Sequence, residues 1–300
     1  MSSPSDARDE AVPKLPLWDT ICASYAAYFH NFLDVLRICW LWLVVVGPLM
    51  AIANWMQWLW MAPMFAGLRQ GAGPQRPIPV VTVPIELRVM IYGVGLIFTA
   101  AGVSIAVAWH RRLILGEHPR LSGGNIASGS FWRYAGMGIA IFLTAFVPMI
   151  LGMSILFVFT SFFTRGGPVT VIVVLIVILF YLAGIAAVLR LCLLLPARAV
   201  GDLSVTFKQA WRRTHGNTWR MFWGIMACTL PPALIVQILS LVLFGFPGPG
   251  MLTSSSFPSF LVAISAIFSV YYLLILPIWI GFWSFSYLHF FGHRPNYGVG

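Results

Sequence analysis

The sequence predicts an all-α, polytopic membrane protein: six transmembrane helices arranged as three hairpins, with amphipathic helices lying on the cytoplasmic interface. Three observations predict it. Of the 300 residues, 60% are hydrophobic and only 9% charged, at a mean hydropathy of +0.89, whereas soluble domains carry roughly a quarter of their residues charged. Long stretches contain no Asp, Glu, Lys or Arg. The basic residues fall in alternate gaps between those stretches. This composition excludes a disordered chain, a secreted disulfide scaffold and a soluble enzyme.

The first 14 residues read as a polar, disordered tail, residues 15–293 as one transmembrane domain, and 294–300 as a short cytoplasmic tail. No cleavable signal peptide is expected, because the first apolar run starts only at residue 38. From Ile21, the positions Ile21, Tyr25, Tyr28, Phe32, Val35 and Leu36 recur at helical spacing with Ser24, Asn31 and Asp34 between them, predicting an interfacial helix that leads into the first span.

The uncharged stretches Ile38–Leu68, Val89–His110, Tyr134–Thr164 and Gly166–Leu189 each hold one span, because about 20 apolar residues cross the hydrocarbon core. The stretch Met221–His293 holds two, divided by the turn signals around Gly245–Gly250 and Thr253–Ser256. The expected spans are therefore 38–60, 88–110, 135–162, 168–194, 220–244 and 259–288. Residues 202–215 predict a second interfacial helix, with Asp202 or Ser204 as cap, Leu203, Phe207, Ala210 and Trp211 as the apolar stripe and Gly216 as the stop. A shorter one at 125–133 is weakened by its glycines.

With the N-terminus inside, fourteen basic residues fall on the cytoplasmic side and only Arg69, Arg76, Arg88 and Arg165 opposite, which places both termini in the cytoplasm. The net charge of +10 thus belongs to one face, where it retains topology and attracts anionic lipid. Nucleic acid is not an expected partner, since no basic run is long. A membrane-protein partner or a homo-oligomer is compatible with the sequence.

An internal repeat is expected. Arg37, Trp40 and Pro48 have the spacing of Arg220, Trp223 and Pro231, and Trp132, Arg133 and Pro148 form a looser copy. Arginine snorkels to phosphates, tryptophan sits at headgroup level, and proline frees a backbone carbonyl. The second helices of the first two units end alike, Arg111 to Gly116-Glu117 and Arg198 to Gly201-Asp202. Arg190 to Pro196-Ala197, the segment Asp202 to Trp211, and Gly216-Asn217 to Trp219-Arg220 together resemble poorly characterised bacterial inner-membrane proteins similar to the membrane domain of glycerophosphoryl diester phosphodiesterases. The resemblance covers mainly 185–225 and rests on topogenic motifs. It implies a bacterial cytoplasmic membrane protein, and it carries over no catalytic residue.

Motifs for zinc proteases, serine hydrolases, Walker nucleotide binding and paired-cysteine sites are missing. Cys22, Cys39, Cys192 and Cys228 are single and read as packing residues. His289 and His293 share an i, i+4 spacing without a third ligand, and His30 with Asp34 reads as the polar face of an interfacial helix. No cofactor, metal site or catalytic residue is expected.

The densest polar group is His110, Arg111, Arg112, Glu117, His118 and Arg120, which would grip a lipid phosphate or simply form a basic loop balanced by Glu117. Arg190 lies at the membrane boundary, where it would pair with Glu117 or Asp202 or snorkel. The expected headgroup site comprises Arg111, Arg112, Arg212, Arg213 and Arg220, with Trp132, Trp211, Trp219 and Trp223 holding interfacial depth. The leading functional reading is a structural, regulatory or lipid-binding membrane protein. A transporter would need a polar cavity lined by Asn54, Gln57, Ser104, Thr144, Gln237 or Ser269, and a lipid-modifying enzyme would need the His110–Arg120 group.

Overall fold

The computed structural model describes residues 13–69, 83–119, 126–162, 168–244 and 257–292. Within them the regular elements are all helices: α1 Leu17–His30, α2 Phe32–Arg69, α3 Ile85–Leu115, α4 Gly129–Phe162, α5 Pro168–Leu191, α6 Leu194–Val200, α7 Phe207–Arg213, α8 Thr218–Phe244 and α9 Phe257–Phe291. Six spans, in α2, α3, α4, α5 continuing through α6, α8 and α9, are long and apolar enough to cross a membrane. Exposed apolar side chains such as Val44, Phe157, Leu179 and Val242 cover their outer faces, as a hydrocarbon surrounding requires.

The centre of the bundle is α9: in an 18-residue apolar stretch of its span Val270–Phe291 67% of the residues are buried, against 33% or less in the corresponding stretch of every other span. Around it pack α1, α2, α3 and α8, while α4 lies along α5 and reaches the rest of the bundle through α3 and α6. Gly224 sets the approach of α8 to α9: a Cβ there would overlap the buried ring of Phe282 and press on Leu17. Small residues allow such close helix contact in membranes.

The first segment expected at the interface is not one helix with the first span. Asn31 interrupts it, with a backbone at φ −112° and ψ 30° outside helical values, while its side-chain amide donates to the Ala27 carbonyl at 2.8 Å at the end of α1. Phe32, Val35 and Leu36 therefore belong to α2. The second segment is shorter than expected. Thr206, not Asp202 or Ser204, caps α7 in a capping box with Gln209, and Asp202 Oδ1 instead accepts from the backbone and hydroxyl of Ser204. No separate helix precedes α4 in the described residues 126–128.

Proline explains the remaining irregularities, because it removes the N–H that would bond the carbonyl four residues back. Pro196 frees the Cys192 carbonyl, which accepts from Leu195 N–H at 3.1 Å, and the helix breaks into α5 and α6. Pro277 frees the Leu273 carbonyl, which takes the Cys39 thiol at 3.5 Å. Pro231 and Pro232 free two successive carbonyls of α8, and both face one donor: the Tyr25 hydroxyl of α1 lies 2.9 Å from Ala227 O and 3.4 Å from Cys228 O. Burial pushes the Tyr25 phenol up to about 12, with Cys228 adding to the effect, so the donor stays protonated.

Candidate functional site

Among the described residues, most arginines gather at one end of the bundle, where the starts of α2, α4 and α8 meet the ends of α3, α6 and α9. Arg112 ties the end of α3 to the start of α2, donating to Asp34 Oδ2 at 2.9 Å and to Asn31 Oδ1 at 3.1 Å. Arg111 grips both oxygens of Glu117, its Nε at 2.8 Å, and also reaches Ser130 Oγ and the Ala199 carbonyl. Glu117 sits so close because Gly116 ends α3 in the left-handed region at φ 72°, a conformation that lacks a steric penalty only for glycine. These two guanidinium groups are thus neutralised within the protein.

Arg190 pairs with neither Glu117 nor Asp202. Its Nε donates to Thr218 Oγ1 at 2.8 Å, and its guanidinium lies 4.5 Å above the centre of the Trp211 ring, an arrangement that holds a boundary charge by hydrogen bond and cation–π attraction. Asp202 accepts instead from the Tyr287 hydroxyl at 2.6 Å, and Arg198 anchors the same turn by donating to the carbonyls of Asp202 and Val205. Sequence reasoning missed Thr218, Tyr287 and Asn31 as partners, and no local spacing signals them.

The other three expected headgroup residues keep their charge. Arg213 donates to the Phe290 carbonyl at 2.5 Å beside the Phe291 ring, and Arg220 donates to the Leu15 carbonyl at 2.8 Å. Both bind neutral oxygens. Arg212 is exposed and forms no ion pair among the described residues. Next to them Trp211, Trp219 and Trp223 are exposed. The structure therefore divides the predicted five into two that are balanced by carboxylates and three that remain cationic, all in α7 and at the start of α8.

No known protein family, curated protein or solved structure matches this chain. Arg220 and Asn217 together hold the N-terminal segment ahead of α1. Asn217 accepts from Leu15 N–H at 2.9 Å and donates to the Pro13 carbonyl at 3.2 Å, which ties the segment ahead of α1 to the start of α8.

Chemistry beyond charge is sparse. His110 is fully buried on α3 and hydrogen-bonded at 2.7 Å to Ser284 of α9, whose hydroxyl also reaches the Ile280 carbonyl at 3.0 Å. His118, by contrast, is exposed, so the two histidines of the sequence cluster do not share one environment. Arg120 and His293 lie outside the described residues, and no group of three or more metal-ligating side chains occurs among the described ones. Two clefts flank α9, of about 250 and 280 Å³, and neither is lined by the polar residues expected of a transport path. Asn54 and Thr144 spend their side chains on carbonyls of their own helices, and the Ser269 side chain lies outside the described set.

Proposed function

We propose that this chain is an integral membrane protein that binds the phosphate of anionic phospholipids at the basic end of its bundle and serves a structural or regulatory role, without catalysis. The observation that carries the reading is the placement of Arg212, Arg213 and Arg220, uncompensated by carboxylates, beside the exposed rings of Trp211, Trp219 and Trp223. Each basic side chain near an anionic surface contributes on the order of 1 kcal/mol, and the indoles fix headgroup depth. Its residence is the bacterial cytoplasmic membrane, with the basic end and both termini in the cytoplasm, where α1 and α7 lie in the interface.

The architecture is three hairpins, α2–α3, α4–α5 with α6, and α8–α9, related as repeats. Two features support it. The second helix of each unit stops at a left-handed glycine, Gly116, Gly201 and Gly292. The start of each unit is also held by an arginine of the unit before it in a cycle: Leu15 by Arg220, Ser130 by Arg111 and Thr218 by Arg190.

Native mass spectrometry of the purified protein tests the lipid reading. Arg212→Gln with Lys208→Gln removes two exposed charges and should reduce retention of phosphatidylglycerol while leaving phosphatidylcholine unchanged. Equal retention of phosphatidylglycerol would show that these residues only orient the chain. Accessibility of a cysteine placed at His118, from the cytoplasm and not from outside, checks the orientation.

A further inference from the structure

Arg190 is a cation that no carboxylate balances among the described residues. It lies at the end of α5, whereas the rim residues Arg212, Arg213 and Arg220 belong to α7 and α8. Its Nε is spent on Thr218 Oγ1, and one side of its guanidinium on the Trp211 ring. The two Nη nitrogens donate to nothing among the described residues, and neither is sealed from the surroundings. A guanidinium held in this way presents a fixed pair of charged donors, the arrangement that grips two oxygens of a phosphate or carboxylate. Thr218 adds a third donor: its oxygen accepts from Arg190, and its own proton is committed to no described group.

Depth and the surface below the charge select the occupant. Thr218 opens α8 and is followed by the exposed Trp219, and Trp211 is exposed as well, which sets the guanidinium at headgroup level. Back along α5 from Arg190, Ala183, Leu179, Ile176 and Ile172 follow at steps of seven, four, three and four residues, so they share the arginine's face of the helix. All four are exposed. One helix face therefore joins a pair of charged donors at headgroup level to an apolar lane. Free phosphate matches only the donors, and an acidic peptide at the surface leaves the lane bare. A phospholipid matches both.

We propose that Arg190 and Thr218 hold the phosphodiester of a single phospholipid whose acyl chain lies along the exposed face of α5. The site reads the phosphate and not the net charge of the headgroup, so it takes zwitterionic lipids that the basic rim does not select. It stands or falls independently of that rim.

The full-length protein in dodecyl maltoside micelles is titrated with dioleoylphosphatidylcholine, and occupancy of the first bound lipid is followed by native mass spectrometry. Arg190→Gln should raise the apparent Kd about tenfold, the effect of losing a charge-assisted hydrogen bond. Arg190→Lys keeps the charge without the paired donors and should raise it about threefold, which decides the matter where Arg190→Gln does not fold. On the unmodified protein, dioleoylglycerol, with the same chains and no phosphate, should bind about tenfold more weakly, and millimolar inorganic phosphate should not displace phosphatidylcholine. Arg212→Gln with Lys208→Gln should leave phosphatidylcholine binding unchanged, so failure of this site and failure of the rim are told apart. Unchanged binding in the folded Arg190 variants, dioleoylglycerol binding as tightly as phosphatidylcholine, or displacement by inorganic phosphate would each overturn the proposal. A loss of phosphatidylcholine in the Arg212 and Lys208 variant as large as in Arg190→Gln would place the lipid on the rim and overturn it too.

Discussion

Tyr25→Phe deletes a single hydroxyl, and the structure states what that hydroxyl does: it is the donor for the two carbonyls that Pro231 and Pro232 leave open in α8. Removing one partner from a buried hydrogen bond costs about 1–3 kcal/mol. Interhelical bonds in membranes average nearer 0.6 kcal/mol, because the chain unfolded in lipid finds other partners. Tyr25 is half-buried and only one of its contacts is short, at 2.9 Å against 3.4 Å, so a loss of about 1 kcal/mol is expected. Unfolding in mixed micelles of increasing dodecyl sulfate measures it. The decisive comparison repeats the substitution with Pro231→Ala and Pro232→Ala, where restored N–H groups satisfy the carbonyls within α8. There the cost should fall below about 0.5 kcal/mol, a coupling read directly from the double-mutant cycle. An equal cost in both backgrounds would refute the account of Tyr25 as the partner of the proline-freed carbonyls.

The same phenol has a raised folded pKa of about 12, so the folded state holds its proton more tightly than the unfolded chain does. Its contribution is intact below pH 10 and lost as pH rises toward 12, and alkaline unfolding of Tyr25→Phe should show a smaller loss across that window than the unmodified protein. Gly224→Ala should lower the thermal midpoint in detergent, with an overpacking cost of about 1–3 kcal/mol, and Phe282→Leu in the same chain should recover part of it. Asp34→Asn should cost about 1–2 kcal/mol, between exposed and buried ion pairs, because Asp34 and Arg112 are each about one-fifth exposed. By freeing that guanidinium it should also increase phosphatidylglycerol retention in native mass spectrometry. Loss of anionic lipid in Asp34→Asn would contradict the division between balanced and unbalanced arginines.

The spans were legible because their signal is local. A run of some twenty uncharged residues declares itself without reference to the rest of the chain, and all six expected spans coincide with helices long and apolar enough to cross a membrane. Local signals also competed, and the sequence could not rank them. Asp202, Ser204 and Thr206 are all good caps, and Thr206 prevails because Gln209 completes its box while Asp202 is held by Tyr287. Asn31 read as one of the polar positions between the stripe residues, but the chain leaves helical geometry there. The basic face was visible as composition, whereas its division was not: Arg112 with Asp34 and Arg190 with Thr218 depend on which helices become neighbours. The prolines announced open carbonyls but gave no hint that Tyr25, some 200 positions earlier, would supply the proton.

The grip on the N-terminal segment has a consequence for biogenesis. Leu15 is held by Asn217 and Arg220, and Tyr25 by Ala227, across separations of 202 to 205 residues. At about 5–20 residues per second, synthesis of the intervening chain takes on the order of ten to forty seconds. During that interval α1 has been made and its berth has not. In the nascent protein α1 therefore waits undocked while four apolar helices are made, and the arrival of α8 and α9 acts as the closing step of assembly. Truncation ahead of residue 217 would leave a set of inserted helices whose first element never finds its seat, a natural handle for quality control to recognise incomplete chains.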